Sequence, residues 1–258
     1  MSGVEVIRAV SLGTLPHGFL GRSGGVSTGE LAGLNVGFGS NDDRAAIEEN
    51  RRRAVAAVLP EAELVTVHQV HSAEVVFADG AWPQEQRPRA DAMVTNRTGL
   101  LLGILTADCA PVLFADREAG IVGAAHAGWR GAIAGVTDAT VEAMEQLGAR
   151  RERICAAVGP CIARASYEVD DAFRERFVAA DGDNQGFFVG GDGAKPHFDL
   201  PAYVEDRLRR SGIGSVEAVN LDTYADEARF YSFRRATHRA EADYGRQVSL
   251  IGLCGSSA

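Results

Sequence analysis

Among the six histidines and four cysteines of this chain, three stand where they could serve as transition-metal ligands: His71 in HQVHS, Cys109 in TADCAP and His126 in GAAHAGWRG. Zinc binds neutral imidazole nitrogen and thiolate sulfur, and a zinc site that performs chemistry keeps about three protein ligands with a further position open. Cys109 follows His71 by 38 residues, and His126 follows Cys109 by 17. Zinc fingers pair their ligands roughly two to five residues apart, so here only the fold can bring the three together. Each also has a plain structural reading, a cysteine after an apolar run as a buried group and a single histidine as a hydrogen-bonded one. The chemical reading draws on their placement at strand ends among small residues, where sites are commonly built.

Around them stand residues suited to supporting roles. Asp108 can orient a ligand imidazole, act as a general base, or cap the turn that follows it. Gly128 and Gly131 let backbone approach a ligand, and the helix that begins there offers unpaired N–H groups to an anion. Arg22 and Arg130 can add forked, charge-assisted hydrogen bonds to a phosphate or carboxylate, so a helix N-terminus with two arginines reads as an anion pocket. Asn35, which closes the Gly-rich loop RSGGVSTGELAGLN, joins Gln69 and Gly128 as a substrate-binding candidate.

The elements that must position these residues follow from apolar periodicity. A helix is expected from Asp42 to Leu59, stopped by Pro60, with strands at Leu64 to Val67 and Val75 to Ala78 on either side of HQVHS. Gly99 to Leu105, Val112 to Ala115 and Ile121 to Ala125 read as strands, the last feeding His126. One helix is expected from Gly131 to its exit at Gly148, then a strand at Ile154 to Val158. Helices at Asp170 to Ala179 and Leu200 to Ser211, and strands at Val216 to Leu221 and Val248 to Leu253, complete the reading. The alternation predicts a mixed α/β (α+β) fold, a mixed sheet flanked by helices, in a single compact domain over residues 1–258.

Composition removes several function classes. With 26 basic and 35 acidic residues, the net charge of -9 argues against a nucleic-acid partner, which requires clustered Lys and Arg. Lys195 is the only lysine, so most arginines must simply be solvated. No apolar stretch approaches the roughly 20 residues of a membrane span. No secretory signal is evident, which points to the cytoplasm, where the four cysteines stay reduced.

Taken together, HQVHS, TADCAPVLFAD, GAAHAGWRG, GPCIARASYEV and RFYSFRR resemble the YfiH-like, laccase-domain (polyphenol oxidase) family of purine nucleoside phosphorylases, from about Arg22 to the C-terminus. The resemblance implies a single-domain YfiH-like (cytotoxic-necrotizing-factor-like) α/β fold, with zinc, or copper, on His71, Cys109 and His126. It further implies a monomer or homodimer that acts on purine nucleosides and phosphate: phosphorolysis of adenosine, inosine, guanosine or methylthioadenosine, with deamination of adenosine. The chain departs from the family in NLDTYADEARFYSFRR, where Asp222 and Ala225 stand in place of cysteines, and Cys161 reads as a structural thiol.

Phosphorolysis puts the weight on anion binding by Arg22, Arg130 and the helix N-terminus, whereas deamination puts it on activated water with Asp108 moving protons. One alternative is an amide hydrolase editing a peptidoglycan precursor (UDP-MurNAc-amino acid), with Cys109 as nucleophile and His126 as its base. Copper oxidation of phenols is another, although six scattered histidines are few for it. The non-enzymatic alternative is a nucleotide-sensing binding module.

Overall fold

The computed structural model describes residues 3–190 and 195–255. In chain order the strands are β1 (Val6–Ile7), β2 (His17–Leu20), β3 (Glu63–Thr66), β4 (Val75–Phe77), β5 (Ala92–Thr95), β6 (Leu100–Thr106), β7 (Ala110–Asp116), β8 (Ile121–Ala127), β9 (Cys155–Val158), β10 (Phe188–Val189), β11 (His197–Phe198), β12 (Ser215–Ala218) and β13 (Gln247–Gly252). The helices are α1 (Arg44–Val58), α2 (Trp129–Ala134), α3 (Val136–Gln146), α4 (Asp171–Ala180), α5 (Leu200–Arg210) and α6 (Phe233–His238). Side-chain caps from Asp43, Asp170, Asp199 and Ser232 start α1, α4, α5 and α6 by accepting otherwise unpaired N–H groups.

The mixed α/β reading holds, with one refinement. The sheet is two sheets, one ordered β1-β2-β13-β6-β3 and one ordered β12-β9-β7-β8-β5-β4, beside a small β10-β11 hairpin. Each of the larger sheets mixes parallel and antiparallel pairs. Their facing sides share a core in which Phe19, Leu102, Ile104 and Ile251 cluster with Met93, Leu113, Val122 and Ala157. Alternation sends Leu101 and Leu250 to the opposite side, onto Ala54 and Val58 of α1, and Val112 and Phe114 onto α3, α4 and α5. Strands covered on both faces are apolar throughout, which is why β6, β7 and β8 read as continuous runs.

Three differences from the sequence reading bear on the site. The single helix expected after Gly131 begins earlier, at Trp129, and is reset at Gly135, whose φ of 90° only glycine adopts readily. β5 and α6 were absent from that reading because segments of four and six residues show too little periodicity. β12 ends at Ala218, short of the expected Leu221, before Asn220 turns the chain with a φ of 55°. Residues 1–2, 191–194 and 256–258 of the expected single domain lie outside the described residues. Among those described, no helix is long and apolar enough to cross a membrane.

His17 gives the fold a pH dependence. Its ring is fully buried, accepting the Ala9 N–H on Nε2 at 3.0 Å and donating from Nδ1 to the Leu15 carbonyl at 2.7 Å. Only the neutral ring can do both, and burial holds its pKa below the ordinary 6.5. The unfolded chain therefore binds the proton first. His17 contributes stability that is present above pH 6.5 and is lost as pH falls from there toward the lowered folded-state value. Melting curves between pH 7.5 and 5 should show a steeper decline for the wild type than for His17→Gln, and parallel declines would exclude this role.

Candidate metal centre

Strand pairing closes the 17-residue gap between Cys109 and His126. β7 and β8 are antiparallel with Pro111 opposite His126, so Cys109, just before β7, lies against the end of β8. The short link Ala107 to Cys109 carries the chain from β6 in one sheet to β7 in the other, and Asp108 makes that change at a φ of 84°. Its carboxylate is bound by Thr223 Oγ1 at 2.7 Å, Ser232 Oγ at 2.9 Å and the Arg234 N–H at 2.7 Å. Burial pushes the Asp108 pKa up, against these donors and Arg235.

His71 arrives on the loop between β3 and β4, itself in the left-handed region at a φ of 60°. One buried carboxylate fixes both histidines. Asp91 accepts the His126 Nδ1–H on Oδ1 at 2.8 Å. On Oδ2 it accepts the N–H groups of Val70 and Ser72, at 3.0 and 2.6 Å, and the Ser72 hydroxyl at 2.9 Å. With Nδ1 engaged, His126 turns Nε2 toward Cys109, the arrangement in which a carboxylate sets the tautomer of a ligand imidazole.

The donor atoms of His71, Cys109 and His126 all lie within 4.8 Å of one another, with Cys109 Sγ 3.9 Å from His71 Nε2. Bond lengths of about 2.3 Å to sulfur and 2.0 Å to nitrogen would place tetrahedral zinc ligands roughly 3.3–3.5 Å apart, so the ligand atoms must draw together for an ion to bind. Burial would raise the Cys109 thiol, but the His126 and His71 imidazoles outweigh it and draw the thiol below its ordinary value. Burial likewise disfavours charged His126, and Cys109 and Asp91 outweigh it and raise the imidazole. Asp91 is held well below the carboxylate range, its burial overcome by His126, Ser72 and Val70. Cys109 therefore has the thiolate character of a metal ligand.

Two cavities meet at this cluster. The larger, about 400 Å³, runs from His71, Cys109 and His126 to Gly37, Phe38, His68, Gln69, Arg87, Tyr244 and Arg246. The smaller, about 220 Å³, shares His71, Ala107 and Cys109 and is walled by Trp129, Tyr167, Phe233, Arg234, Ile162 and Leu200.

The other residues picked from the sequence are placed variously. Gln69 lines the larger cavity, but its amide is spent on both backbone groups of Leu105, at 2.7 and 2.9 Å. Asn35 is fully buried, bonding Ser40, Asp42 and the N–H groups of Gly37 and Arg246, so it supports the cavity wall without lining it. Gly128 abuts the cluster, where a Cβ would stand 2.8 Å from Cys109 Sγ. Asp108 lines the smaller cavity with its carboxylate already committed.

Among the described residues, Arg22 and Arg130 line no cavity in common. Arg22 donates to the Ala32 and Glu227 carbonyls and lines a separate polar cleft, while Arg130 lies over the Trp129 ring and lines neither cavity. α2, with six residues, is also a short source of helix dipole. The arginines at the cavities are instead Arg87, Arg246 and Arg234. Sequence reasoning missed these and Asp91, whose one signal was an acid opening the apolar run Ala92–Thr95. Cys161 is a buried free thiol whose pKa is raised by burial and by Asp222.

A family model described as multi-copper polyphenol oxidoreductase laccase matches residues 16–254. The chain belongs to this family. A Deinococcus radiodurans relative named purine nucleoside phosphorylase is 40% identical over 97% of this chain and 94% of its own. Purine nucleoside phosphorylase ORF3 of Streptomyces griseus is 46% identical over 86% and 90% of the two chains. Purine nucleoside phosphorylase YfiH of Escherichia coli is 36% identical over 90% and 91%. A crystal structure of a Neisseria meningitidis protein superposes with a TM-score of 0.87 at 31% identity, covering 98% of this chain and 100% of that one. The laccase label of the family contrasts with the site. Copper oxidases of the blue type relay electrons between several His-rich centres. Among the described residues, only His71, Cys109 and His126 form a metal-competent group.

Proposed function

We propose that this chain is a zinc-dependent purine nucleoside phosphorylase, acting on adenosine, inosine, guanosine and methylthioadenosine, with deamination of adenosine at the same site. The supporting observation is the junction of two cavities at His71 and Cys109, the smaller walled by the aromatic rings of Trp129, Tyr167 and Phe233, the larger reaching His126 and lined by Arg87 and Arg246. A purine suits the first. Trp129, Tyr167 and Phe233 offer ring faces and edges, and Arg234 lies over Tyr167 at 5.2 Å, where it can meet purine ring nitrogens or oxygen. The ribose then lies at the junction.

Soft thiolate with two imidazoles suits zinc and accommodates copper(I). Bound zinc would supply Lewis-acid polarisation and activation of water at neutral pH. The protein's own part is positional. Asp91 holds the His126 tautomer and the His71 loop, and Asp108 ties the Cys109 turn to the segment bearing Phe233 and Arg234. In phosphorolysis an oxygen of hydrogen phosphate bonds the ribose C1, the bond from C1 to the purine nitrogen breaks, and the departing base keeps the electron pair and takes up, in net, the proton that hydrogen phosphate loses.

A second reading draws on the order Asp91, His126, Cys109, which is also that of a carboxylate, imidazole and thiol nucleophile in amide hydrolysis. Product analysis decides. Adenosine, inosine and a UDP-MurNAc-amino acid precursor should be incubated with and without phosphate, before and after metal removal. Free base and ribose 1-phosphate should form only with phosphate, adenosine deamination should proceed without it, and both should stop when the metal is removed. Amide cleavage of the precursor with no nucleoside product, or nucleoside turnover indifferent to metal, would overturn the proposal.

A further inference from the structure

The larger cavity carries a feature that the metal cluster does not explain. Two guanidinium groups, Arg87 and Arg246, line it, and neither has a carboxylate partner among the described residues. A third, Arg51, lies directly behind the wall, its guanidinium 4.3 Å over the ring of Phe38, which lines the cavity. The acid closest in influence to Arg87 is Glu85, an exposed side chain that pairs with Arg44 at 3.8 Å. Fourteen other arginines of this chain are paired with acids, so Arg51, Arg87 and Arg246 belong to the minority that are not, and here three of that minority gather at one wall.

Gathering like charges at a half-buried wall is unfavourable, and the fold invests backbone groups in holding them there. Arg87 donates Nε to the Gln84 carbonyl and Nη1 to the Val67 carbonyl, at 2.9 and 3.3 Å. Arg51 donates Nε to the Val36 carbonyl at 2.9 Å, while its Nη2 is buried with no partner. The Arg246 guanidinium lies over the Tyr244 ring at 4.3 Å, and its backbone N–H donates to Asn35 at 3.0 Å. Gly37 makes room for it, since a Cβ there would meet Arg246 Cδ at 2.9 Å. Burial, and after it the charge of Arg87, pull Arg51 down to about 10.

We infer that Arg87 and Arg246 form a phosphate subsite, with Arg51 behind Phe38 strengthening its positive field. The subsite takes a phosphate dianion through forked hydrogen bonds and holds it in the cavity that also reaches His71, Cys109 and His126. Its assignment to the attacking phosphate rests on the phosphorylase reading above. The alternative source of the same chemistry is the phosphoryl group of a nucleotide.

The test uses the metal-loaded protein with Arg87→Gln, Arg246→Gln and the double variant. Inorganic phosphate binding is measured by calorimetry, and KM is measured separately for phosphate and inosine. Each single variant should weaken phosphate binding and raise the phosphate KM roughly tenfold, about one charged hydrogen bond, with the inosine KM moving less than about threefold. Arg87→Lys and Arg246→Lys should recover part of the loss, and metal content should stay at the wild-type level. Sulfate provides a check that needs no variant, and it should compete with phosphate but not with inosine.

Unchanged phosphate affinity in the variants, or sulfate competing with inosine alone, would overturn the subsite while leaving the phosphorylase reading intact. Arginine-dependent phosphate binding without phosphorolysis would sustain the subsite and sink the phosphorylase reading. Adenosine 5′-monophosphate binding more than about tenfold tighter than phosphate, lost in the same variants, would reassign the subsite to a nucleotide and overturn its role as the phosphate co-substrate site.

Discussion

Replacing Asp91 with alanine is expected to weaken metal binding and destabilise the metal-free protein together. Asp91 is fully buried and is the acceptor for four donors: the His126 imidazole, the Val70 and Ser72 N–H groups and the Ser72 hydroxyl. Removing it orphans all four, and a buried donor left without an acceptor costs about 1–3 kcal/mol. Water can reach the half-buried Val70 and Ser72, so the expected total is roughly 3–5 kcal/mol. The loss of metal affinity has its own cause. Without Asp91 the His126 tautomer is unset, and the His71 backbone, held at a φ of 60°, loses its clamp on both sides. Loss of such a supporting carboxylate typically lowers metal affinity about 10- to 100-fold.

Urea unfolding of the metal-free protein gives the stability change without the contribution of bound metal, and competition with a chromogenic chelator gives the affinity. Asp91→Asn should fall between the two proteins, because one oxygen still accepts while the amide nitrogen faces donors. If Asp91→Ala matched the wild type in both measurements, Asp91 would not be the residue that joins the histidines.

The contrast between Asp91 and the residues chosen from the sequence shows what a sequence makes legible. His71, Cys109 and His126 stood out because their chemistry is unusual at strand ends, and strand ends are readable from apolar runs such as Ile121 to Ala125. The partner of His126 was not readable in the same way. Asp91 opens a strand of four residues, too short to show a period, and an acid before it looks like any loop residue. Asp108 was more conspicuous beside the cysteine, yet its carboxylate points to Thr223, Ser232 and Arg234, more than a hundred residues away in the chain.

Arg22 and Arg130 were selected on charge and on nearness to glycines, and neither carries information about distance. Arg87 and Arg246 lacked any such marker and reach the cavity from the connection between β4 and β5 and from the residue just before β13. The two-sheet arrangement was hidden for a related reason. TADCAP announces a break between β6 and β7, but an apolar run covered on both faces reads the same whether the chain stays in one sheet or crosses to another.

Gly128→Ala is expected to damage the site with little effect on the fold, which separates it from Asp91→Ala. Gly128 has φ −67° and ψ 161°, a conformation open to alanine, so the substitution carries no backbone strain. The new methyl group, however, would stand 2.8 Å from Cys109 Sγ and 3.0 Å from His71 Cδ2, closer than carbon meets sulfur or carbon without repulsion. Neither neighbour retreats freely. Cys109 is fixed where the chain passes between sheets, and His71 by the Asp91 clamp on its loop.

The ligand set must therefore spread by several tenths of an ångström, when a tetrahedral ion requires it to contract. Metal affinity should fall at least about tenfold and kcat/KM on nucleosides about 100-fold, the scale of a small misplacement of catalytic groups. The metal-free Tm should stay within about 2 °C of the wild type, since the change is confined to one side-chain contact. Chelator competition, steady-state kinetics and melting of the metal-free protein read the three quantities separately. Wild-type affinity and turnover in Gly128→Ala would mean that the thiolate can move aside without cost. In that case the close approach at Gly128 would be ordinary packing, and a fixed three-ligand geometry would lose its main structural support.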